Sequence, residues 1–175
     1  RVALLAPGIR FVESRIQSIG LSNRTVSLES GSLNWDYLVI ALGADLNMAR
    51  VPGLGEAAHT FYTVEGAQRL KLKLERFPGG DIAILIPKVP FKCPPAPYEA
   101  ALLLHHSFER RGLAGKVRLT VYTAEGAPMA TAGPEMGQYI KGELAQRAIA
   151  FFPQKNTLRV DGSAQRVVFE DGSEV

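Results

Sequence analysis

The sequence predicts an α/β protein in which a parallel, doubly wound layer follows a β-rich piece. Three observations carry that expectation. From residue 80 onward, apolar runs of strand length alternate with segments of helical spacing, the order expected of a parallel sheet with helical crossovers. Before residue 44 the apolar runs are short and are separated by turn-forming residues, as in consecutive strands. Between these regions, residues 44–62 contain Pro52-Gly53 and Gly55, which break any regular pattern and place the main boundary there.

The opening strands are expected at Phe11-Val12, at Ile16–Ile19 and at Val26–Leu28, the last after the turn-like Ser22-Asn23-Arg24. Glu29–Ser32 is turn material. It leads into Leu33–Gly43, whose end is the continuous apolar run Leu38–Leu42 and reads as a strand buried on both faces. Gly43-Ala44 stops it, and a glycine there lets another backbone or a ligand approach closely; the plain alternative is a simple turn. Thr63 reads as an N-cap with Glu65 in the first turn, and Ala67, Leu70, Leu74 and Phe77 follow at helical spacing. Pro78-Gly79-Gly80 ends that helix. Asp81–Pro87 is a compact apolar run and reads as a fully buried strand. A helix is expected from about Pro97 to Arg111, with Ala101, Leu104 and Phe108 as its stripe. Lys116–Tyr122 alternates as a strand. A helix from Pro134-Glu135 carries Met136, Ile140 and Leu144, and residues 157–161 and 165–169 read as a hairpin.

Composition excludes several classes. With 46% hydrophobic and 21% charged residues in 175, the chain is ordinary globular material, long enough for a sizeable core. The net charge of +3 is mild and its Lys and Arg are dispersed, so no nucleic-acid partner is expected. No apolar run approaches the ~20 residues a bilayer-spanning helix needs. One cysteine allows no internal disulfide. The chain opens on Arg1 rather than Met, and Arg1–Gly8 is too short for a signal peptide, so a segment of something longer is expected.

The chemistry concentrates between the strand at 81–87 and the helix at 97. A strand, tight loop and helix is the layout that binds nucleotide pyrophosphate, which needs glycines so that backbone N–H groups can reach it. Here the loop is Pro87-Lys-Val-Pro-Phe-Lys-Cys-Pro-Pro-Ala-Pro97, with five prolines, no glycine and the chain's one cysteine. Dinucleotide binding by this unit is therefore not expected. What the loop offers is a stiffly mounted Cys93 near a helix start, between Lys88 and Lys92, features that favour a nucleophilic or redox thiolate; the bland alternative is an inert, buried cysteine. Glu99, in the first helical turn, complements the helix dipole and is a candidate proton acceptor near the thiol. His105 and His106 are adjacent and point apart, His59 has no visible partner, and no metal-ligand cluster is read.

Lys92-Cys-Pro-Pro-Ala-Pro-Tyr-Glu99 resembles the signature of the sulfide:quinone oxidoreductase and flavocytochrome c sulfide dehydrogenase group, FAD-dependent members of the pyridine nucleotide–disulfide oxidoreductases. Asn34–Ala44 is similar to the group's strand before its flavin contact, Val51-Pro-Gly-Leu54 to its following linker, and Gly162–Gly172 to a strand pair preceding the return to the flavin domain. The resemblance implies a Rossmann-like, NADH-domain-like unit over 63–175. Residues 1–62 would close the first segment of a discontinuous FAD-binding domain. It further implies Cys93 as redox thiol, with Ala41, Leu42, Gly43 and Ala44 against FAD; beside these, Glu99 stands as the second catalytic candidate, Pro94 as a further FAD-contact candidate, and no metal is expected. Electrons would pass from sulfide or a related sulfur donor to flavin, then to quinone or a cytochrome. A partner cysteine far toward the C-terminus and a glycine-rich FAD motif belong to the group and not to these residues. Some members carry a further cysteine where this chain has Thr60-Phe-Tyr-Thr63. The 175 residues alone are expected to be inactive, and the whole protein to be peripheral to a membrane; an exposed flavin-side surface would favour a homodimer. Two alternatives stand beside this reading: an NAD(P)H:quinone dehydrogenase, and a non-catalytic α/β interaction domain.

Overall fold

The computed structural model describes residues 6–175, so the reading of the first five residues lies outside it. The chain forms two compact units, one ending at Gly43 and one running from Ala44 to Val175.

The first unit is an antiparallel meander of β1 (Ile16–Gly20), β2 (Thr25–Leu28) and β3 (Gly31–Asn34). Its register pairs Ile19 with Val26 and Val26 with Leu33, and Val26 is buried. The Thr25 hydroxyl donates to Asn34 Oδ1 across the pair at 3.1 Å. Two expectations fail here. Phe11-Val12 is exposed and unpaired rather than a strand. The strand expected over 33–42 ends at Asn34, and beyond it Tyr37, Val39 and Leu42 are 94%, 86% and 73% exposed. A strand buried on both faces needs hydrogen-bonded neighbours and covering layers, and the described residues supply neither for this run.

The second unit begins with a linker held to the later hairpin. Pro52 accepts from the Val160 N–H at 2.9 Å. Gly53 has φ +77°, and a Cβ there would lie 1.9 Å from the Val160 carbonyl oxygen, so only glycine fits. After the single turn α1 (Leu54–Ala57), helix α2 (Val64–Glu75) starts where its cap predicts: Thr63 Oγ1 accepts from the Gly66 N–H at 3.0 Å. Its other end is closed by Arg111, whose guanidinium donates to the carbonyls of Leu74, Glu75 and Phe77. Of its expected stripe, Leu74 and Phe77 pack against the core while Ala67 stays exposed.

Strands β4 (Gly80–Ile86), β5 (Val117–Thr123) and β6 (Ala150–Phe152) form a parallel sheet in that order, crossed by α3 (Ala96–Arg110) and α4 (Pro134–Gln146). The core is Ile84, Ile86, Leu119 and Val121 from the sheet, with Tyr98, Ala101 and Phe108 from α3 and Ile140 and Leu144 from α4. The expected full burial of β4 is corrected: Asp81 and Ala83 are exposed, because β4 edges this sheet and only its alternate residues face the helices. On the outer face Arg118 makes a two-pronged pair with Asp81 at 2.5 and 2.6 Å, directly across the register. In α4 the inward stripe is Gly137, Ile140 and Leu144, and Met136 is 42% exposed. Gly137 explains that rotation, since a Cβ there would stand 3.1 Å from the Pro128 carbonyl oxygen. The chain closes with the expected hairpin, β7 (Thr157–Asp161) and β8 (Arg166–Phe169).

Candidate functional site

The site grows out of the carboxyl end of β4, where open parallel sheets place their ligands. Ile86 and Pro87 are fixed there by the N–H groups of Ala124 (2.9 Å) and Thr157 (3.0 Å). Prolines 90, 94, 95 and 97 then leave few backbone donors, and α3 opens with no side-chain cap. Cys93 is exposed and has φ +54°, a left-handed conformation that a residue with a Cβ adopts only under external constraint. Its carbonyl accepts from Ala96 N–H at 3.0 Å, joining it to the first turn of α3. The bland reading of a buried cysteine is thereby removed.

The two lysines do not stand free beside the sulfur. Lys88 pairs with Glu170 of the hairpin, and Lys92 Nζ donates to the Ala44 carbonyl at 3.1 Å. That second bond joins two of the sequence-predicted features, the cysteine loop and Ala44. Ala41, Leu42 and Gly43 belong to the other unit, where they are exposed. Gly43 has φ +79° with open space where a Cβ would stand. Among the described residues, the N–H groups of 41–44 make no hydrogen bond within the protein. Unpaired backbone donors beside an open glycine fit a flat ligand laid against the main chain, as a flavin would be. Pro94 is half-buried at the foot of the loop, and Glu99 is exposed in the first turn of α3.

Two residues near the site were not singled out by sequence. Tyr62 is half-buried, and its phenol is pushed up to about 12, by burial first and then by the charge of Cys93, so it keeps its proton. The other is Glu125, buried at the carboxyl end of β5. Tyr98 donates its hydroxyl to Glu125 Oε2 at 2.6 Å, and Ala130 N–H donates to Oε1 at 3.3 Å. Burial, then the Glu125 bond, holds the Tyr98 phenol well above the ordinary range. An acid just past the second strand of a βαβ unit is where a dinucleotide ribose is held, which was the available signal. Here Tyr98 already occupies it.

Other features offer less. A concavity in the second unit, between Gly53–Ala57 and Arg159–Ser163, is open to solvent, and Asp161 Oδ1 is taken by Ser163 and Ala164. His105 Nδ1 lies 3.4 Å from Glu109 Oε2 along α3. Among the described residues there is no cluster of three metal-ligating side chains, and no helix is long and apolar enough to cross a membrane.

A Rossmann-like parallel layer with a mounted cysteine in place of phosphate-binding glycines defines a flavoprotein oxidoreductase of the pyridine nucleotide–disulfide type. Residues 67–174 match the central region of the flavoprotein chain of sulfide dehydrogenase (flavocytochrome c), and the chain belongs to that family. The family's cofactor is a flavin, FAD, as the resemblance implied. The chain is 33% identical over 119 residues to the sulfide-quinone reductase of Aquifex aeolicus (strain VF5), covering 67% of this chain and 27% of that protein. It is 31% identical over 140 residues to an alternative NAD(P)H-ubiquinone oxidoreductase of Arabidopsis thaliana, covering 69% of this chain and 26% of that protein. The crystal structure of the sulfide:quinone oxidoreductase from Aquifex aeolicus superposes with a TM-score of 0.71 at 27% identity, over 94% of this chain and 39% of that one. The chain thus spans well under half the length of the proteins it matches.

Proposed function

We propose that these residues are the central part of an FAD-dependent oxidoreductase that oxidises sulfide, or a related sulfur donor, at Cys93. The observation that carries this reading is Cys93 itself: an exposed thiol, held in a left-handed conformation on a glycine-free loop at the carboxyl end of β4. Joining the sulfur of HS⁻ to the Cys93 thiolate makes one S–S bond and releases one proton and two electrons. FAD, when bound, would supply the two-electron acceptor, with quinone or a cytochrome as the final acceptor. The chain's own residues do the rest. The prolines of the loop stiffen the mount of the sulfur, the Tyr62 phenol keeps its proton within electrostatic reach of Cys93, and exposed Glu99 is the candidate proton acceptor. Ala41, Leu42, Gly43, Ala44 and Pro94 are the proposed backing for the flavin. In the whole protein, residues 1–62 end the first flavin-domain segment and 63–175 form most of the second, Rossmann-like domain. That protein is peripheral to a membrane.

A second reading, an NAD(P)H:quinone oxidoreductase, draws support from the Arabidopsis relative. The proline loop and the Tyr98–Glu125 pair weigh against it, because together they remove the pyrophosphate cradle and the ribose acceptor. The test uses the full-length flavoprotein under anaerobic conditions. Sulfide is expected to bleach the flavin and NADH is not, and Cys93→Ser is expected to keep its flavin colour but resist sulfide. Full bleaching of that variant by sulfide removes the thiol from the reaction, and rapid bleaching by NADH replaces the reading with the second one. Alkylation of Cys93 no faster than a free thiol at neutral pH would instead support a non-catalytic domain.

A further inference from the structure

We propose that Lys92 is a positioning residue for the reaction at Cys93: its ammonium ties the crown of the cysteine loop to the Ala44 carbonyl and so fixes where the sulfur stands. The inference rests on the reading just given and adds a residue that the reading does not need.

The two roots of the loop are secured independently of Lys92. At the first, Thr157 N–H holds the Pro87 carbonyl and Glu170 holds the Lys88 ammonium. At the second, Ala96 N–H holds the Cys93 carbonyl and the chain enters α3. Between the roots lie residues 89–92. Pro90 has no N–H, and Phe91 packs partly against the core. Among the described residues, Lys92 Nζ to Ala44 O, at 3.1 Å, is the one hydrogen bond that 89–92 make to another segment. Cys93 follows directly, in a conformation that costs energy and persists only while its surroundings impose it. A single tether at the neighbouring residue is well placed to impose it. The anchored end, Ala44, is also part of the backbone segment whose N–H groups are left open for a ligand. One bond therefore sets the spacing between the thiol loop and Ala44. A lysine is suited to the task because its long apolar stem spans the gap and its ammonium gives a charge-assisted bond.

The experiment compares the full-length flavoprotein with Lys92→Met, which keeps the stem and removes the donor, and with Lys92→Arg, which restores a donor. Backbone hydrogen exchange over 91–96 is read by mass spectrometry, and anaerobic flavin bleaching by sulfide and by dithionite is read by stopped flow. Lys92→Met is expected to speed exchange in the loop about fivefold or more and to slow sulfide bleaching about tenfold or more, with dithionite bleaching unmoved. Lys92→Arg is expected to recover most of both changes. Sulfide bleaching of Lys92→Met at the parent rate, or loop exchange unmoved by it, overturns the proposal. If sulfide fails to bleach even the parent protein, the sulfide reading falls, and loop exchange then judges the tether on its own.

Discussion

At the scale of single residues, the pair Tyr98–Glu125 shows how one side chain decides which ligand a common layout admits. The acid sits where a βαβ unit holds ribose, yet its oxygens are already met by a phenol, an N–H group and Thr123 Oγ1 at 3.4 Å. Tyr98→Phe deletes the shortest of these bonds and leaves a buried carboxylate oxygen short of a donor. Such a loss costs about 1–3 kcal/mol. A urea midpoint lowered accordingly, with an unchanged transition slope, is expected; a midpoint equal to the parent's would mean that Glu125 finds water or another donor. Tyr62 is the second lesson at this scale. Nothing in its local pattern announces it, since a tyrosine two residues before α2 looks like any loop aromatic. It becomes relevant only because folding brings the start of α2 and the end of β4 to the same place, so that its phenol feels Cys93. The placement of Cys93 on an exposed loop and of Glu99 in the first turn of α3 was legible because its signals are local: prolines, a strand before and a helix after.

At the scale of elements, the sequence read well wherever an element carries its own signal. Thr63 caps α2 as its type predicts, and β7 and β8 pair over the residues that alternate. It read poorly where burial depends on partners distant in the chain. The run Leu38–Leu42 has the composition of a central strand but no neighbour among the described residues, and the same logic exposes one face of β4. Met136 was misplaced by one helical step because packing at Gly137, not hydrophobicity, sets the rotation of α4. The final hairpin makes an electrostatic prediction. Lys155 and Ser173 both bond Asp171, and these bonds hold its carboxyl well below the usual carboxylate range. A depressed folded-state value means that the unfolded chain takes up the proton first. The stabilisation is therefore present above the ordinary carboxylate pKa of about 4 and fades as pH falls below it. Asp81 and Asp161 are shifted in the same direction. Asp171→Asn is thus expected to lower the thermal midpoint at pH 7 and to flatten, without abolishing, its fall on acidification. A variant whose midpoint falls with acid as steeply as the parent's would remove Asp171 from the effect.

At the scale of the whole molecule, the two units differ in how much structure they can sustain. The second has a layered core in which Phe108, Val121 and Leu144 are at most 2% exposed, while among the described residues of the first the buried hydrophobic residue is Val26. Small sheets without a covering layer are marginal in water. The exposed run Tyr37–Leu42 has the apolar content of a buried strand, and in the proposed whole protein it lies in the flavin domain, where further strands would flank it. Protection of its amides should therefore depend on the rest of that protein. In the 175-residue chain, the amides of Leu119 and Val121 in β5 are expected to exchange slowest, and those of residues 37–43 at close to unprotected rates. In the full-length flavoprotein, residues 37–43 are expected to become protected, and removing the flavin should release the N–H groups of 41–44 before those of 37–40. Strong protection of 37–43 in the 175-residue chain would show that the run finds its pairing there. Protection of 41–44 unaffected by flavin removal would separate those residues from the cofactor, leaving the thiol loop without its proposed counterpart.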